Sequence, residues 1–195
     1  MSTEVTKGII LTHGAGSTAD APLLIALAAA FEESGFRVVR HTLNFRLIKP
    51  KSPPHPKDAP GDQAGLLEAV KEMRRDGVDE VYLGGHSYGG RQATLMTAEH
   101  PGLVKALLLL SYPLHPPEKP QQLRTAHFPN LRTPSLFIHG AKDTFGTEEE
   151  MTAALKLIPG RTSLVLIPGV GHDLGGAKGP LAAKFASHFT KFLQK

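Results

Sequence analysis

The amino-acid sequence predicts an α/β fold, in which a mostly parallel sheet is covered by helices on both faces. Short runs of apolar and β-branched residues recur along the chain, and segments with helical hydrophobic spacing separate them. Strands that alternate with helices in this way pair in parallel, and both faces of their sheet are buried. The length of 195 residues is typical of one domain. We therefore expect residues 1–195 to form a single domain.

The same pattern assigns the elements in chain order. Six apolar runs have the length and composition of buried strands: 8–12, 36–41, 80–83, 106–110, 135–139 and 163–167. Five segments have the spacing of helices: 21–34, 61–76, 90–100, 147–158 and 179–193. In the last of these, Leu181, Phe185, Phe189 and Phe192 recur at helical spacing.

Two segments interrupt the pattern because they are rich in proline. Residues 42–60 contain five prolines and residues 112–134 contain six. Proline at this density is incompatible with a long helix or a central strand, so we predict two ordered loops. Each loop follows a predicted strand, which places both at the carboxyl edge of the sheet, where open α/β folds bind their ligands.

The composition excludes several classes of protein. The chain has no cysteine, which excludes disulfide frameworks, thiolate nucleophiles, thiolate zinc sites and iron–sulfur clusters. The segment before the first predicted strand, residues 1–7, is short and polar and does not resemble a signal or transit peptide. The longest apolar runs, 22–31 and 106–110, are far shorter than the roughly 20 residues that span a bilayer. We expect a cytoplasmic protein without a membrane segment.

The charge pattern does not favour nucleic-acid binding. The net charge is +4, from 22 Lys and Arg against 18 Asp and Glu, and the two signs are mixed along the chain. No block of five basic residues occurs, and three Tyr, nine Phe and no Trp offer few stacking surfaces. We expect a solvated basic surface and no nucleic-acid partner.

The strongest motif lies where the third predicted strand meets a helix. Residues 85–89 read G-H-S-Y-G, the G-x-S-x-G pattern that presents a nucleophilic serine at a sharp strand-to-helix turn. Such a turn strains the backbone at Ser87, and residues without a Cβ atom on either side let the chain pack closely. The alternative is a structural serine in a glycine-rich turn.

Two further residues supply the partners that a nucleophilic serine needs. Asp143 follows the fifth predicted strand and His172 follows the sixth, so all three side chains should meet at one edge of the sheet. The spacings are 56 residues from Ser87 to Asp143 and 29 from Asp143 to His172. Taken singly, Asp143 is equally compatible with a turn cap and His172 with an exposed loop residue.

The loop after the first strand is a candidate for binding a developing negative charge. Residues 12–16 read T-H-G-A-G. A loop at this place contributes one backbone N–H to an oxyanion hole, and the residue after the nucleophile contributes the second. The candidates are the main-chain N–H groups of Ala15 and Tyr88.

The same loop also fits a competing motif. Residues 14–19 read G-A-G-S-T-A, which matches the G-x-G-x-x-A fingerprint of dinucleotide sites. An acidic residue should then end the second strand, but that strand ends in Arg40 and His41. An NADP site that uses Arg40 remains an alternative. Neither H-E-x-x-H nor a Walker A pattern is present, so we expect no metal and no cofactor.

Three strings carry a resemblance to a known family. The chain resembles the α/β hydrolases in its order of Ser, Asp and His, and the likeness runs from residue 8 to the last helix. More narrowly, GHSYGGRQA at 85–93, LLSYPLHPP at 109–117 and DTFGT at 143–147 are similar to a small hydrolase-like subfamily. That subfamily includes bacterial hydrolases, a testis-expressed hydrolase-like protein and a subunit of the NSL histone-acetylation complex.

The resemblance implies a sheet of about six strands without a large cap. The two proline-rich loops would then form the walls of a pocket, with Arg91, His115 and His127 as candidate substrate contacts; a surface or capping role is the alternative for each. The expected function is that of an esterase-type serine hydrolase, which cleaves small soluble esters or thioesters through an acyl-enzyme. By analogy with the NSL subunit, a non-catalytic interaction protein with a protein partner is the alternative.

Overall fold

The computed structural model describes residues 5–177 and 180–194. It contains six strands: β1 (Lys7–Thr12), β2 (Arg37–His41), β3 (Glu80–His86), β4 (Leu107–Leu110), β5 (Ser135–Gly140) and β6 (Thr162–Ile167). It contains six helices: α1 (Pro22–Glu33), α2 (Asn44–Ile48), α3 (Ala59–Arg75), α4 (Tyr88–Glu99), α5 (Glu148–Leu155) and α6 (Leu181–Leu193). The predicted first residue of the last helix, Gly179, and residues 1–4 lie outside the described residues.

All strands form one parallel sheet, in the order β2-β1-β3-β4-β5-β6. Helices α1 and α6 pack on one face, and α3, α4 and α5 pack on the other. A hydrophobic core lies on each face of the sheet, so residues of both faces are apolar and the strand sequences are continuously apolar. In β4, Leu107 and Leu109 belong to one core and Leu108 and Leu110 to the other. The predicted α/β fold with helices on both faces is confirmed.

The structure corrects the prediction in two places. Strand β3 continues three residues beyond the predicted end at Leu83, because Gly84 and Gly85 still pair with β1 and β4 despite the low strand propensity of glycine. The first proline-rich segment is not only a loop, since it contains a 3₁₀ turn at Pro56–Asp58, the start of α3 at Ala59, and the whole of α2. This short helix forms because Phe45 is buried in the core and Leu43, which precedes it, is fully buried as well.

The second proline-rich segment, 112–134, is a loop with one 3₁₀ turn at Phe128–Asn130. Both proline-rich segments follow a strand and lie at the carboxyl edge of the sheet, as predicted. Within the described residues, no helix has both the length and the apolar character that crossing a membrane requires.

Candidate active site

Ser87 occupies the sharp turn between β3 and α4. Its backbone has φ 51° and ψ −117°, a conformation that is strained for a residue with a side chain. The flanking glycines make the turn possible. A Cβ atom on Gly85 would lie 2.4 Å from the main-chain nitrogen of Gly90, and one on Gly89 would lie 2.5 Å from the carbonyl oxygen of His13.

The structure brings the three predicted side chains together. Nε2 of His172 lies 2.7 Å from Oγ of Ser87. Nδ1 of the same ring lies 2.8 Å and 3.0 Å from the two carboxylate oxygens of Asp143. Because the carboxylate accepts a hydrogen bond from Nδ1–H, the lone pair of Nε2 faces the serine hydroxyl. This tautomer can accept the hydroxyl proton.

The residues around Asp143 keep its carboxylate charged. The Asp143 side chain is fully buried, and burial alone would raise its pKa. The hydrogen bond from His172 and a second one from the main-chain N–H of Phe145, at 2.9 Å, outweigh burial and lower the pKa of Asp143. A charged carboxylate at this position orients the His172 ring with Nδ1–H toward Asp143.

The loops that carry Asp143 and His172 are joined directly to each other. The N–H of Ala141 donates to the carbonyl of Ile167 at 3.0 Å, and the N–H of Lys142 donates to Val170 at 2.9 Å. Phe145 stacks its ring on His172, with 4.1 Å between ring centroids. These contacts explain how residues 29 positions apart are held within hydrogen-bond distance.

His86, the residue before the serine, fixes the loop of His172 from the other side. Its Nε2–H donates to the carbonyl oxygen of His172 at 2.9 Å. Burial lowers the pKa of His86, so the ring is neutral and retains one donor. The ring also limits the size of residue 14, because a Cβ atom on Gly14 would lie 2.9 Å from Nδ1 of His86.

The loop after β1 lies beside the serine. A Cβ atom on Gly14 would be 3.4 Å from Cβ of Ser87. Within the described part of the chain, the main-chain N–H groups of Ala15 and Tyr88 donate to no protein acceptor. Two unengaged N–H groups next to a serine can stabilise a negatively charged oxygen.

Arg46, on α2, holds this loop, and sequence reasoning missed it. Its guanidinium donates to the carbonyl oxygens of Ala15 and Ser17, and to Pro50 at 2.6 Å. The side chain is buried against Phe45, with the guanidinium 4.9 Å from the ring centroid. No sequence signal marks Arg46, because its contacts are with main-chain atoms of distant residues.

Asp62 is a second residue that the sequence did not reveal. It is fully buried on α3, accepts from the hydroxyl of Tyr88 at 2.7 Å and accepts from the N–H of Phe45 at 2.8 Å. Burial is the largest influence and raises the pKa of Asp62, although both hydrogen bonds oppose it. The contact fixes the side chain of Tyr88, the residue that follows the serine.

The three predicted substrate contacts lie in two different places. Arg91 and His127 line one open groove beside α4. His115 is buried elsewhere, where its Nδ1 donates to the carbonyl of Pro116 at 2.8 Å and its Nε2 donates to Glu150 at 3.1 Å. Burial lowers the pKa of His115, but these two acceptors raise it above its ordinary value. The ring of His115 therefore belongs to an ion pair with α5.

The competing dinucleotide motif does not have the expected geometry. Residues 14–19 form a loop, and α1 begins only at Pro22. Arg40 donates to the carbonyl of Ala19 and to the carboxylate of Asp20, both at 2.6 Å. Among residues 5–177 and 180–194, no group of three or more His, Asp or Glu side chains is arranged to hold a metal ion.

Three solved structures share this architecture. Est1E from Butyrivibrio proteoclasticus, bound to ferulic acid, has 18% identity and a TM-score of 0.77, over 98% of this chain and 92% of its own. A dienelactone hydrolase from Anabaena variabilis has 22% identity and a TM-score of 0.75, over 97% and 86%. An alpha-beta serine hydrolase homologue from Coxiella burnetii has 18% identity and a TM-score of 0.74, over 95% and 86%. At these identities the likeness is one of fold.

A family model extends the likeness from fold to sequence. The model, described as an alpha/beta hydrolase domain, matches residues 5–184. The matched region contains all six strands, the strained turn at Ser87 and the loops of Asp143 and His172. The chain therefore belongs to the α/β hydrolase family.

Proposed function

We propose that the protein is a serine hydrolase of the esterase type that acts on small soluble esters or thioesters. The observation that carries the proposal is the 2.7 Å contact between Ser87 Oγ and His172 Nε2, with Asp143 on the opposite side of the same ring. A serine hydroxyl is a poor nucleophile until an oriented base accepts its proton, and these contacts supply the base and its orientation.

The proposed reaction has two stages. Ser87 Oγ attacks the acyl carbon while His172 Nε2 accepts the hydroxyl proton. The bond from the acyl carbon to the leaving oxygen or sulfur breaks, and His172 gives the proton to the leaving alcohol or thiol. Water then attacks the acyl-enzyme and transfers a proton to His172. The acid product leaves as Ser87 recovers its proton.

Main-chain groups stabilise the negative oxygen in both stages. In the proposal these are the N–H groups of Ala15 and Tyr88, which lack protein acceptors among the described residues. Preorganised donors of this kind lower the barrier because they need no rearrangement as charge develops. The hydrogen bond from the Arg46 guanidinium to the carbonyl of Ala15 supports such preorganisation, because it fixes the loop that carries the Ala15 N–H.

A fluorophosphonate probe tests the proposal, because it modifies an activated serine covalently. We expect the wild-type protein to be labelled and Ser87→Ala to be unlabelled. Ser111→Ala is the matched control, because Ser111 also follows a parallel strand with a positive φ of 48°, but its Oγ has no hydrogen-bond partner in the described part of the chain. Ser111→Ala should be labelled like the wild type. Absence of labelling in the wild type would contradict the proposal.

Hydrolysis of an ester panel defines the substrate class. We propose faster hydrolysis of 4-nitrophenyl acetate and of an acetyl thioester than of long-chain esters, as expected for small soluble substrates. The resemblance to the NSL-complex subunit leaves an interaction protein as the alternative function. Intact, folded protein that neither reacts with the probe nor hydrolyses any ester would favour that alternative. A cytoplasmic location remains part of the proposal.

A further inference from the structure

A groove beside α4, the helix that follows the proposed nucleophile, contains two arginines. Its volume is about 390 Å³, and α4 forms one wall with Arg91 and Leu95. The loop of residues 112–134 forms the other wall, with Arg124 and His127. The groove is therefore formed by the two elements that follow β3 and β4 at the carboxyl edge of the sheet.

The positive charges of this groove have no protein counter-charge. Within residues 5–177 and 180–194, no carboxylate oxygen lies within 4.0 Å of either guanidinium. Nε of Arg91 is buried and has no hydrogen-bond partner among the residues that the structure describes. Burial and, after it, the charge of Arg91 lower the pKa of Arg124, which indicates that the two like charges repel. Unpaired, partly desolvated cations are costly, and an anion between them offsets that cost.

Hydrogen bonds hold Arg124 in place in one wall of the groove. The backbone of Arg124 is fixed by its N–H donating to Leu114 at 2.8 Å and by the hydroxyl of Tyr112 donating to its carbonyl at 2.7 Å. Among the described residues its guanidinium donates only to the carbonyl of Pro113, at 3.2 Å through Nη1, so its other N–H groups can bind a ligand. A preorganised fork of donors loses little entropy when it binds an oxygen anion.

His127 joins the two walls but does not supply charge. Its Nε2–H donates to Oγ1 of Thr94 at 2.8 Å, and that hydroxyl donates to the carbonyl of Arg91 at 2.8 Å. Burial and, to a smaller extent, Arg91 lower the pKa of His127 to about 4. The ring is neutral at neutral pH, so the positive charge in the groove comes from the two arginines.

Arg91 lies one helical turn from the proposed nucleophile. Its main-chain N–H donates to the carbonyl of Ser87 at 3.0 Å. Helical side chains point toward the N-terminus of their helix, which for α4 is the end at Ser87. One turn is about 5 Å along the helix axis. A group held by Arg91 would then be a few bonds from an ester carbonyl at Ser87.

We propose that Arg91 and Arg124 form a binding subsite for an anionic oxygen group, a carboxylate or phosphate, that the substrate carries near its scissile ester. The inference rests on the proposed function and narrows its substrate class to small esters or thioesters that also carry a free carboxylate or phosphate group. Guanidinium groups recognise both anions through paired N–H···O hydrogen bonds. The shared chemistry is that of a small oxyanion bound by two arginines.

The kinetic test compares two esters that differ in one charge. Monoethyl glutarate carries a free carboxylate, and diethyl glutarate is its neutral counterpart. We expect the wild type to have a kcat/KM at least about tenfold higher for the monoester, the size of one charge-assisted hydrogen bond. In Arg91→Gln and in Arg124→Gln this ratio should fall toward one. A preference for the monoester that neither substitution changes would overturn the inference, and so would a wild-type ratio near one in a protein that does not bind phosphate in the titration below.

Two further variants control for charge and folding. Arg132→Gln removes an exposed arginine from the same loop outside the groove, and it should retain the wild-type ratio. Arg124→Lys keeps the charge without the planar fork and should have an intermediate ratio. Circular dichroism and thermal unfolding establish that each variant is folded.

A binding test separates failure of this inference from failure of the proposed function. Glutarate and inorganic phosphate are titrated separately into Ser87→Ala by calorimetry, so no turnover is needed. We expect saturable, salt-sensitive binding of at least one anion, lost when Arg91→Gln is added to Ser87→Ala. The anion that binds more tightly identifies the group. If neither anion binds saturably at millimolar concentrations, the subsite is refuted even where the ester panel and the probe support catalysis.

Discussion

His86 donates a hydrogen bond from its ring to the main-chain oxygen of His172, at 2.9 Å. This contact joins the residue before the proposed nucleophile to the backbone of the proposed base. The two residues are 86 positions apart, and their ring centroids lie 5.5 Å from each other. The turn between β3 and α4 therefore contacts His172 twice. Ser87 contacts its ring, and His86 contacts its main-chain oxygen.

Replacing His86 with Phe should lower turnover without unfolding the protein. Phe has a similar ring but no N–H donor, so the loop of His172 loses a contact that fixes its position. A small displacement of a catalytic group costs about 10²-fold in rate, and we expect a fall in kcat of about tenfold to 10²-fold. His100→Phe, an exposed histidine at the end of α4, is the control. Unchanged kcat in folded His86→Phe would show that the contact does not position His172.

Replacing Asp143 with Asn should reduce kcat by about 10⁴-fold, because it forces the wrong tautomer of His172. The N–H of Phe145 donates to Oδ1 of residue 143, so an Asn must keep its oxygen there and turn its NH₂ group toward His172. Nδ1 then becomes an acceptor, and Nε2–H faces Ser87. Asp173→Asn, an exposed neighbour of His172, should keep wild-type kcat in the same ester assay. Activity within tenfold of wild type in Asp143→Asn would assign the acid elsewhere.

The sheet, and the meeting of Ser87, Asp143 and His172 at its edge, could be predicted because they depend on local patterns. Each of Ser87, Asp143 and His172 follows an apolar strand, and parallel strands bring their carboxyl ends to one edge. The glycines around Ser87 mark the turn because only residues without a Cβ fit there. Strand periodicity and one turn motif were therefore sufficient to place three distant residues together.

The supporting residues could not be predicted, because their contacts have no local signature. Arg46 reaches the carbonyl of Ala15 across 31 positions, and Asp62 reaches Tyr88 across 26. Helix α2 is itself stabilised by burial of Phe45 within a proline-rich segment, where propensity alone favours a loop. The groove charges are likewise visible only in three dimensions, since Arg91 and Arg124 lie on different elements.

Replacing Arg46 with Met should affect both stability and turnover. The substitution removes the donor for the carbonyl oxygens of Ala15, Ser17 and Pro50, and at about 1 kcal/mol for each lost hydrogen bond we expect a cost of about 3 kcal/mol in the free energy of unfolding. The loop then loses its fixed orientation, and kcat should fall by about 10²-fold. Urea unfolding and ester hydrolysis measure the two effects separately. Arg46→Lys, which keeps a donor, should recover part of both, and a folded Arg46→Met with normal kcat would remove this residue from the site.

The ion pair of His115 and Glu150 should make stability depend on pH in a defined window. Hydrogen bonds to Pro116 and Glu150, outweighing burial and the nearby charge of Arg124, raise the pKa of His115 above its ordinary 6.5. The contribution of protonated His115 to the free energy of unfolding is therefore fully present below pH 6.5. It is lost as the pH rises through the raised pKa. Hydrogen bonds from Thr147, the N-cap of α5, and then from His115 lower the pKa of Glu150 below 4.5. The contribution of charged Glu150 to the free energy of unfolding is present above pH 4.5. It is lost as the pH falls through the lowered pKa.

His115→Asn should consequently destabilise the protein more at about pH 5.5 than at about pH 8.5, two values on either side of the ordinary histidine range. The difference in the free energy of unfolding should be on the order of 0.5 kcal/mol, because Glu150 is partly exposed and solvent screens the pair. Urea titrations at both pH values measure it. Glu149→Gln on the same turn of α5 should show no such difference. Equal destabilisation by His115→Asn at both pH values would mean that His115 is neutral at both. Its stabilising contact would then be the hydrogen bond to the carbonyl of Pro116 and not an ion pair with Glu150.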